Sequence, residues 1–333
     1  MENMENSAAE LTPGETPPAE IVYPPKYTKG EEQNNIWLRS LVSLAFYLML
    51  GYYIFHSWKM LLLITAIVAF HEMGHFMAMK AFRYRDLGIF FIPLLGAYVS
   101  GTKRDVSQRE SSIILLAGPL PGIIIGIILY LLYLQNPFLE LAGISYYTVS
   151  IALILLNLIN LIPVYPLDGG QLLNRVFLDE ESVLSKIFVF ASIGFLVWFA
   201  IFGMDNAYPL LIFPAMMVYR MFGDNKLHHI EKKIQDTGIN LDMAYEDLPD
   251  EDYWKIRNIL IAEYPPFKDI PASPPYEYCE KEEKVHAMIS GLMQRNLIQD
   301  MGWSGKLVVA LVWIAAIASP WLLHLNVLRH FGL

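Results

Sequence analysis

Long runs of apolar residues alternate with short polar stretches along most of the chain. Where about 20 consecutive residues stay predominantly apolar, the run has the length that a helix needs to cross a bilayer. The pattern predicts seven such helices, at about 36–55, 60–81, 112–134, 145–163, 186–203, 206–222 and 306–328. We therefore expect an all-α polytopic membrane protein.

Two stretches depart from this pattern and suggest how the chain is organised. Residues 1–35 contain seven Glu and two Lys among Pro and Asn, a composition that predicts a disordered N-terminal tail. Residues 224–305 carry 16 acidic and 9 basic residues and show helical patterns interrupted by prolines. We expect a membrane domain at 36–223, a small, mostly helical polar segment at 224–305, and a C-terminal transmembrane helix within 306–333.

The composition supports a membrane protein and excludes several other classes. Hydrophobic residues make up 55% of the chain, charged residues 17%, and the mean hydropathy is +0.37, which excludes an ordinary soluble enzyme. The net charge of -9 argues against a nucleic-acid partner, because such proteins present a basic face. A single cysteine excludes a disulfide framework and a cysteine-rich zinc site.

The distribution of basic residues predicts the orientation in the membrane. Short loops rich in Lys and Arg stay in the cytoplasm. With the N-terminus inside, 22 of the 24 basic residues fall on or near the cytoplasmic side. We expect a multi-pass protein of the cell membrane, with the N-terminus and 224–305 in the cytoplasm and the C-terminus outside.

The second apolar run contains three ionisable residues, His71, Glu72 and His75, near its middle. Such residues at bilayer depth cost about 2.5–3.5 kcal/mol each and usually mark a functional site. The two histidines are four residues apart, so they project from one helix face and can bind one metal ion. Glu72 is displaced by about 100° on the helix, which suits a general base rather than a third ligand. The HExxH pattern is that of zinc metallopeptidases, and the alternative is a chance match with both histidines bound to neighbouring helices.

A zinc site with an open position needs a third protein ligand, and Asp168 is the best candidate in the sequence. It follows the stretch NLINLIPVYP, whose prolines break a regular helix, and it precedes two glycines. Irregular backbone at membrane depth is tolerated where it lines a cavity. The alternative is that Asp168 is an ordinary turn residue just beyond the membrane.

The motifs HEMGH and NLIPVYPLDGG together resemble the site-2 protease family of intramembrane zinc metalloproteases. The resemblance covers about 60–180, the three-helix core, and implies that His71, His75 and Asp168 bind one zinc ion and that Glu72 is the base. Asn160 matches the family's asparagine, which helps to hold the substrate or to polarise its carbonyl. Asn157, one turn earlier, is not part of the pattern.

Two shorter segments also resemble this family. PLLGAYVSG at 93–101 is similar to its membrane-embedded strand or loop near the active site, and AGPLPG at 117–122 is similar to its Gly-Pro motif at the start of the third core helix. No PDZ-like insertion or CBS-like tail is recognised.

We therefore expect an intramembrane zinc metalloprotease that hydrolyses a peptide bond in or near a transmembrane segment of a membrane-anchored protein. The expected partners are this substrate and the lipid bilayer, and the sequence does not indicate an oligomeric state. Two alternatives remain. A catalytically silent homologue would use the same fold as a membrane binding or chaperone module, although such proteins typically lose a ligand or the base. A metal transporter would also place His and Asp in membrane helices.

Overall fold

The computed structural model describes residues 23–28, 35–93, 96–180, 182–203, 208–293 and 297–323. The chain forms two compact units. The first, called here the membrane unit, comprises Glu31–His229 and Gln294–Leu333. The second, called the polar unit, comprises Met1–Gly30 and Ile230–Met293.

The membrane unit is mostly helical. Its helices are α1 (Ile36–Phe55), α2 (Trp58–Ala81), α3 (Gln108–Ala117), α4 (Pro119–Gln135), α5 (Tyr146–Asn160), α6 (Asp168–Leu172), α7 (Val183–Trp198), α8 (Ile212–Asp236), whose end belongs to the polar unit, and α11 (Trp303–Leu322). Its strands are β1 (Arg85–Ile92), β2 (Gly96–Thr102), β3 (Glu140–Leu141) and β4 (Ile144–Ser145).

Five helical segments among the described residues are long and apolar enough to cross a membrane. They are Ile36–Tyr53, Trp58–Ala81, Gln108–Gln135, Val183–Gly203 and Trp303–Leu322. The prediction of a multi-pass, largely helical protein therefore agrees with the structure, whereas the count of seven spans is not reached by this measure.

The two remaining predicted spans differ from the other five for separate reasons. Helix α5, predicted at 145–163, has 15 residues and is about 22 Å long, shorter than the ~30 Å hydrocarbon core. Irregular backbone follows it. For the span predicted at 206–222, residues 204–207 lie outside the described part, and α8 begins at Ile212 and continues to Asp236. Charged residues from Arg220 onward shorten the apolar part of α8.

Strands β1 and β2 form an antiparallel hairpin between α2 and α3. Their register pairs Ile92 with Gly96 and Ile89 with Val99. The strand or loop expected near 93–101 corresponds to β2, and β1 is an additional strand. Because the described sheet has only these two strands, one edge of β2 carries no strand partner.

Close packing fixes α2 at the centre of the membrane unit. One buried cluster, formed by Ile67, Val149 and Leu153, joins α2 to α5. At Gly74 a Cβ atom would lie 2.0 Å from the carbonyl oxygen of Ala117, so only glycine permits this approach of α2 to α3. Helix α2 is thereby held against both of the neighbouring core helices.

The polar unit is a small helical domain. It contains the end of α8, α9 (Asp250–Glu263) and α10 (Glu282–Leu292). Its core includes Ile234, Leu260, Val285 and Ile289, all fully buried. Residues 23–28, part of the stretch predicted to be a disordered tail, are hydrogen-bonded to this unit in the structure, which composition alone does not reveal.

Candidate metal centre

Helix α2 places His71 and His75 side by side. Both side chains are buried, and their Nε2 atoms lie 3.1 Å apart. This is the arrangement expected from a spacing of four residues, because such residues lie one above the other on a helix face. The predicted pair of ligands therefore faces one point in space.

Asp168, the first residue of α6, brings a carboxylate to the same point. Its Oδ2 atom lies 3.0 Å from Nε2 of His71 and 3.2 Å from Nε2 of His75. The irregular segment after α5 folds back on itself to reach this position. At the following Gly169 a Cβ atom would lie 2.0 Å from the carbonyl oxygen of Leu161, so a side chain at that position would prevent the fold-back. The structure thus brings together three residues that are up to 97 positions apart in sequence.

The hydrogen bonds around the histidines define which ring nitrogens are free. Nδ1 of His71 lies 2.8 Å from Oδ1 of Asn157, and Nδ1 of His75 lies 2.7 Å from the carbonyl oxygen of Ile114. The Asn157 amide nitrogen donates to Leu153, which leaves its oxygen facing His71. Both partners are acceptors, so both Nδ1 atoms donate and both Nε2 atoms keep a lone pair.

When both rings are neutral, as metal ligands are, three acceptor atoms therefore converge without a donor between them. The Asp168 Oδ2 atom is buried and accepts no hydrogen bond. Two imidazole lone pairs and a carboxylate oxygen at this separation repel one another unless a cation lies among them. Around a tetrahedral zinc ion with bonds of 2.0–2.1 Å, ligand atoms are about 3.3–3.4 Å apart, close to the observed spacing. The residues fit one zinc ion with a fourth position left open.

Glu72 lies beside this cluster, is buried, and lines the same cavity as Val99 of β2. It is not one of the three converging residues. The Glu72 carboxylate therefore lies next to the candidate metal position.

A cavity of about 810 Å³ opens onto the cluster. Its walls include His71, Glu72, His75 and Asp168 on one side and much of β2 on another. Asn160 also lines the cavity, and its amide nitrogen donates to the carbonyl oxygen of Leu156 at 3.1 Å. All five residues predicted for the site therefore face one cavity.

Sequence reasoning missed Asn157 and the roles of two glycines. Asn157 is almost fully buried and orients His71, and its signal was that of a polar residue inside an apolar helix. A Cβ atom at Gly118 would lie 2.3 Å from Nε2 of His75, and one at Gly122 would lie 2.2 Å from the Asn157 amide nitrogen. The glycines of AGPLPG thus leave room for His75 and for the side chain that holds His71.

Comparison with known proteins relates part of the chain to a peptidase family. Residues 59–153 match the model of peptidase family M50. A zinc metalloprotease of Methanocaldococcus jannaschii is 28% identical over 169 residues, which cover 49% of this chain and 48% of that protein. The core of the chain is thus similar to peptidase family M50 and to a zinc metalloprotease of this kind. The cluster of His71, His75 and Asp168 is a possible metal site.

Two further similarities were found. Stage IV sporulation protein FB of Bacillus subtilis is 25% identical over 184 residues, which cover 52% of this chain and 62% of that protein. The solved structure of the site-2 protease from Methanocaldococcus jannaschii aligns with 55% of this chain and 85% of that chain, at 21% identity and a TM-score of 0.40. The chain spans about half of the first curated relative and about three fifths of the second. The family match includes the HExxH helix and ends before Asp168, so the position of Asp168 rests on the geometry above.

Proposed function

We propose that this protein is an intramembrane zinc endopeptidase of the site-2 protease kind, acting on a membrane-anchored protein. The observation that carries the proposal is the convergence of His71, His75 and Asp168 on one point without a donor, with Glu72 beside it. A purely structural polar cluster would pair donors with acceptors. This one is arranged for a cation and opens onto a cavity large enough for a peptide segment.

The three ligands hold the metal, and two neighbours hold the ligands. The Asn157 oxygen and the Ile114 carbonyl fix the rings of His71 and His75, an arrangement typical of zinc sites. Zinc bound there would supply a Lewis acid that polarises the scissile carbonyl and makes water acidic enough to attack it.

Glu72 provides the proton transfers. Its carboxylate lies next to the ligand cluster without belonging to it, as a general base requires. Glu72 accepts the proton from the attacking water and returns it to the leaving amine. Packing against β2, which lines the same cavity, would keep its carboxylate in place for both steps.

Strand β2 and Asn160 are the groups that would position a substrate. The carbonyls of a transmembrane helix are already hydrogen-bonded, so the substrate must unwind locally before cleavage. An extended segment can then pair with the open edge of β2, whose residues line the cavity. The free N–H of the Asn160 amide would donate to a substrate carbonyl.

The polar unit constrains the topology. Residues 23–28 contact residues of 245–278 within this unit, so both stretches lie on the same side of the membrane. The chain between them must therefore cross the bilayer an even number of times. The four long apolar segments that the structure has between 36 and 222 satisfy this requirement, and so do the six runs predicted there from the sequence. The distribution of basic residues supports assigning that side to the cytoplasm, in which case α11 would carry the C-terminus outside.

The test uses the purified full chain in liposomes with a model substrate that has one transmembrane segment. Wild type should contain one zinc ion per chain, measured by elemental analysis, and should cleave the substrate. Glu72→Gln should keep the zinc and lose activity by 10²-fold or more. Glu140→Gln, at an exposed position in β3, is the matched control and should behave as wild type. Cleavage by Glu72→Gln at the wild-type rate, or zinc flux into the liposomes without cleavage, would overturn the proposal.

A further inference from the structure

The polar unit holds a short proline-containing segment from a distant part of the chain. This segment, residues 23–28 with the sequence YPPKYT, is called here the strap. It contains no helix or strand, and its hydrogen-bond partners lie 218 to 253 residues further along the chain.

Three aromatic side chains donate hydrogen bonds to carbonyl oxygens of the strap. The Trp254 indole nitrogen donates to Pro24 at 2.9 Å, and the Tyr245 hydroxyl donates to Tyr27 at 2.6 Å. The Tyr278 hydroxyl donates to Pro25. The rings of Trp254 and Tyr278 are stacked, with centroids 5.7 Å apart, so their donors form one surface.

This pattern suits the chemistry of consecutive prolines. Proline has no N–H group and a fixed φ, and it also forces the residue before it into an extended conformation. The polyproline II conformation leaves its carbonyls without internal partners. Grooves that recognise such segments present aromatic rings with hydrogen-bond donors. Trp254, Tyr278 and Tyr245 provide that combination.

Lys26 adds a basic contact directly after the two prolines. Its Nζ atom donates to the carbonyl oxygens of Glu246 and Leu248, each at 2.6 Å, and lies 5.6 Å from the centre of the Tyr245 ring. Its backbone N–H donates to the Asp250 carboxylate at 2.8 Å. The carbonyl oxygens of Glu246 and Leu248, just before α9, thus favour a cationic side chain at position 26.

We propose that the polar unit is a recognition module for proline-rich peptides with a basic residue after the prolines, and that the strap is its ligand in cis. The buried core of the unit contains no strap residue, and the strap is half-buried or exposed along its length. The groove is therefore built by residues 230–293, and the strap occupies it. This proposal does not depend on the proposed protease activity.

The direct test asks whether the groove binds the strap in trans. A variant lacking residues 1–29 is purified in detergent and titrated with a fluorescent peptide of residues 21–30, with binding followed by anisotropy. Saturable binding is expected. The intact chain should bind the same peptide at least about tenfold more weakly, because a tethered ligand competes at an effective concentration on the order of mM.

Matched variants identify the contacts. In the truncated protein, Trp254→Phe keeps an aromatic ring but removes the indole donor, and should weaken binding, whereas Trp303→Phe, at an exposed site outside the polar unit, should not. A peptide carrying Lys26→Glu and one with both prolines replaced by alanine should bind at least tenfold more weakly than the native peptide.

Hydrogen exchange of α9 in the truncated protein makes a negative result informative. If α9 remains protected and the peptide does not bind, the groove is not a recognition site. If α9 loses its protection, the strap is an integral part of the fold, which also overturns the proposal. In the intact chain, Lys26→Glu should increase exchange in residues 21–30 while α9 and α10 stay protected.

Discussion

Glu282 of the polar unit and Asp168 of the membrane unit are both largely enclosed carboxylates, but their surroundings are opposite in kind. In the polar unit, Glu282 is 1% exposed, and both of its oxygens accept hydrogen bonds. Its donors include the Tyr253 hydroxyl at 2.5 Å and the Arg257 Nε atom at 2.7 Å. In the membrane unit, the Asp168 side chain is 12% exposed, and its Oδ2 atom faces two imidazole lone pairs without any donor.

This difference in hydrogen-bond partners distinguishes a polar cluster that stabilises the fold from a cluster that is suited to bind a metal ion. Around Glu282 the protein supplies its own cation, the Arg257 guanidinium, and the site is complete. Around Asp168 the nearest groups are two imidazoles, so the positive charge must come from a protonated ring or from a bound cation, and the cation is the one we propose. Burial alone does not separate the two cases, because both side chains lie in largely enclosed surroundings. The two cases are separated by the balance of hydrogen-bond donors and acceptors around each carboxylate.

Replacing Asp168 should produce the largest effect on metal binding. Asp168→Asn removes one ligand and its charge, so zinc affinity should fall by more than the 10–100-fold typical of lost secondary contacts. The amide also introduces a donor among the acceptors, so the fold without metal should be as stable as wild type. Competition with a chelator measures the affinity. Asp179→Asn, an exposed site nearby in sequence, serves as the control, and wild-type zinc affinity in Asp168→Asn would exclude Asp168 as a ligand.

Removing the positive charge of Arg257 from the cluster around Glu282 should destabilise the fold of the polar unit. Arg257→Met leaves Glu282 buried without its ionic partner and should destabilise the polar unit by about 3–5 kcal/mol. Hydrogen exchange in α9 and α10 reports this loss, while zinc content should stay at the wild-type level. Lys255→Met on the same helix, where Lys255 forms an exposed pair with Glu251, should leave the protection of α9 and α10 close to that of wild type. Equal effects of the two changes would show that Glu282 does not need Arg257.

A smaller effect is expected from Asn157, which orients a ligand without being one. Asn157→Leu removes the acceptor for His71 Nδ1 and should weaken zinc binding about 10–100-fold. Asn160→Leu, one turn later, should leave zinc affinity unchanged and lower only the cleavage rate. If both variants bind zinc like wild type, the Asn157 contact has no influence on the metal.

A feature can be predicted from the sequence when residues close together in the chain determine it, and not when distant segments do. The HExxH pair is set by helix geometry, so the sequence alone places His71 and His75 together. Asp168 depends on a fold-back that a Cβ atom at Gly169 would block, and local patterns left it open as a turn residue. The resemblance to a family singled it out.

The features that sequence reasoning missed depend on contacts between distant segments. The composition around the strap, rich in Glu and Pro, predicts a disordered tail, because composition carries no information on tertiary contacts. The contact with Trp254 on α9 is evident only in the structure. Similarly, the apolar run that ends in α8 could not be bounded by hydropathy, since the helix continues past Arg220 into a charged stretch.

The smallest expected effect is the response of the polar unit to acid. Burial alone would raise the pKa of Glu282, but hydrogen bonds from Arg257 and Tyr253 outweigh it and hold this pKa below its ordinary value. A carboxyl group of this kind stabilises the fold fully above its unfolded pKa, about 4.3, and its contribution is lost as the pH falls through the folded value. Protection of α9 from hydrogen exchange, corrected for intrinsic rates, should therefore stay constant from about pH 7 to 5 and decrease below about pH 4.3.

Tyr253→Phe tests the cause of this acid response. The change removes one hydrogen bond to the ionised carboxylate, so the pKa of Glu282 should move back toward its ordinary value, and the loss of protection on acidification should become smaller. Glu251→Gln removes an exposed carboxylate from the same helix and should leave the response close to that of wild type. If Tyr253→Phe shows the full wild-type acid response while Glu251→Gln reduces it, the pH dependence arises from surface charge, and the donors around Glu282 do not set it.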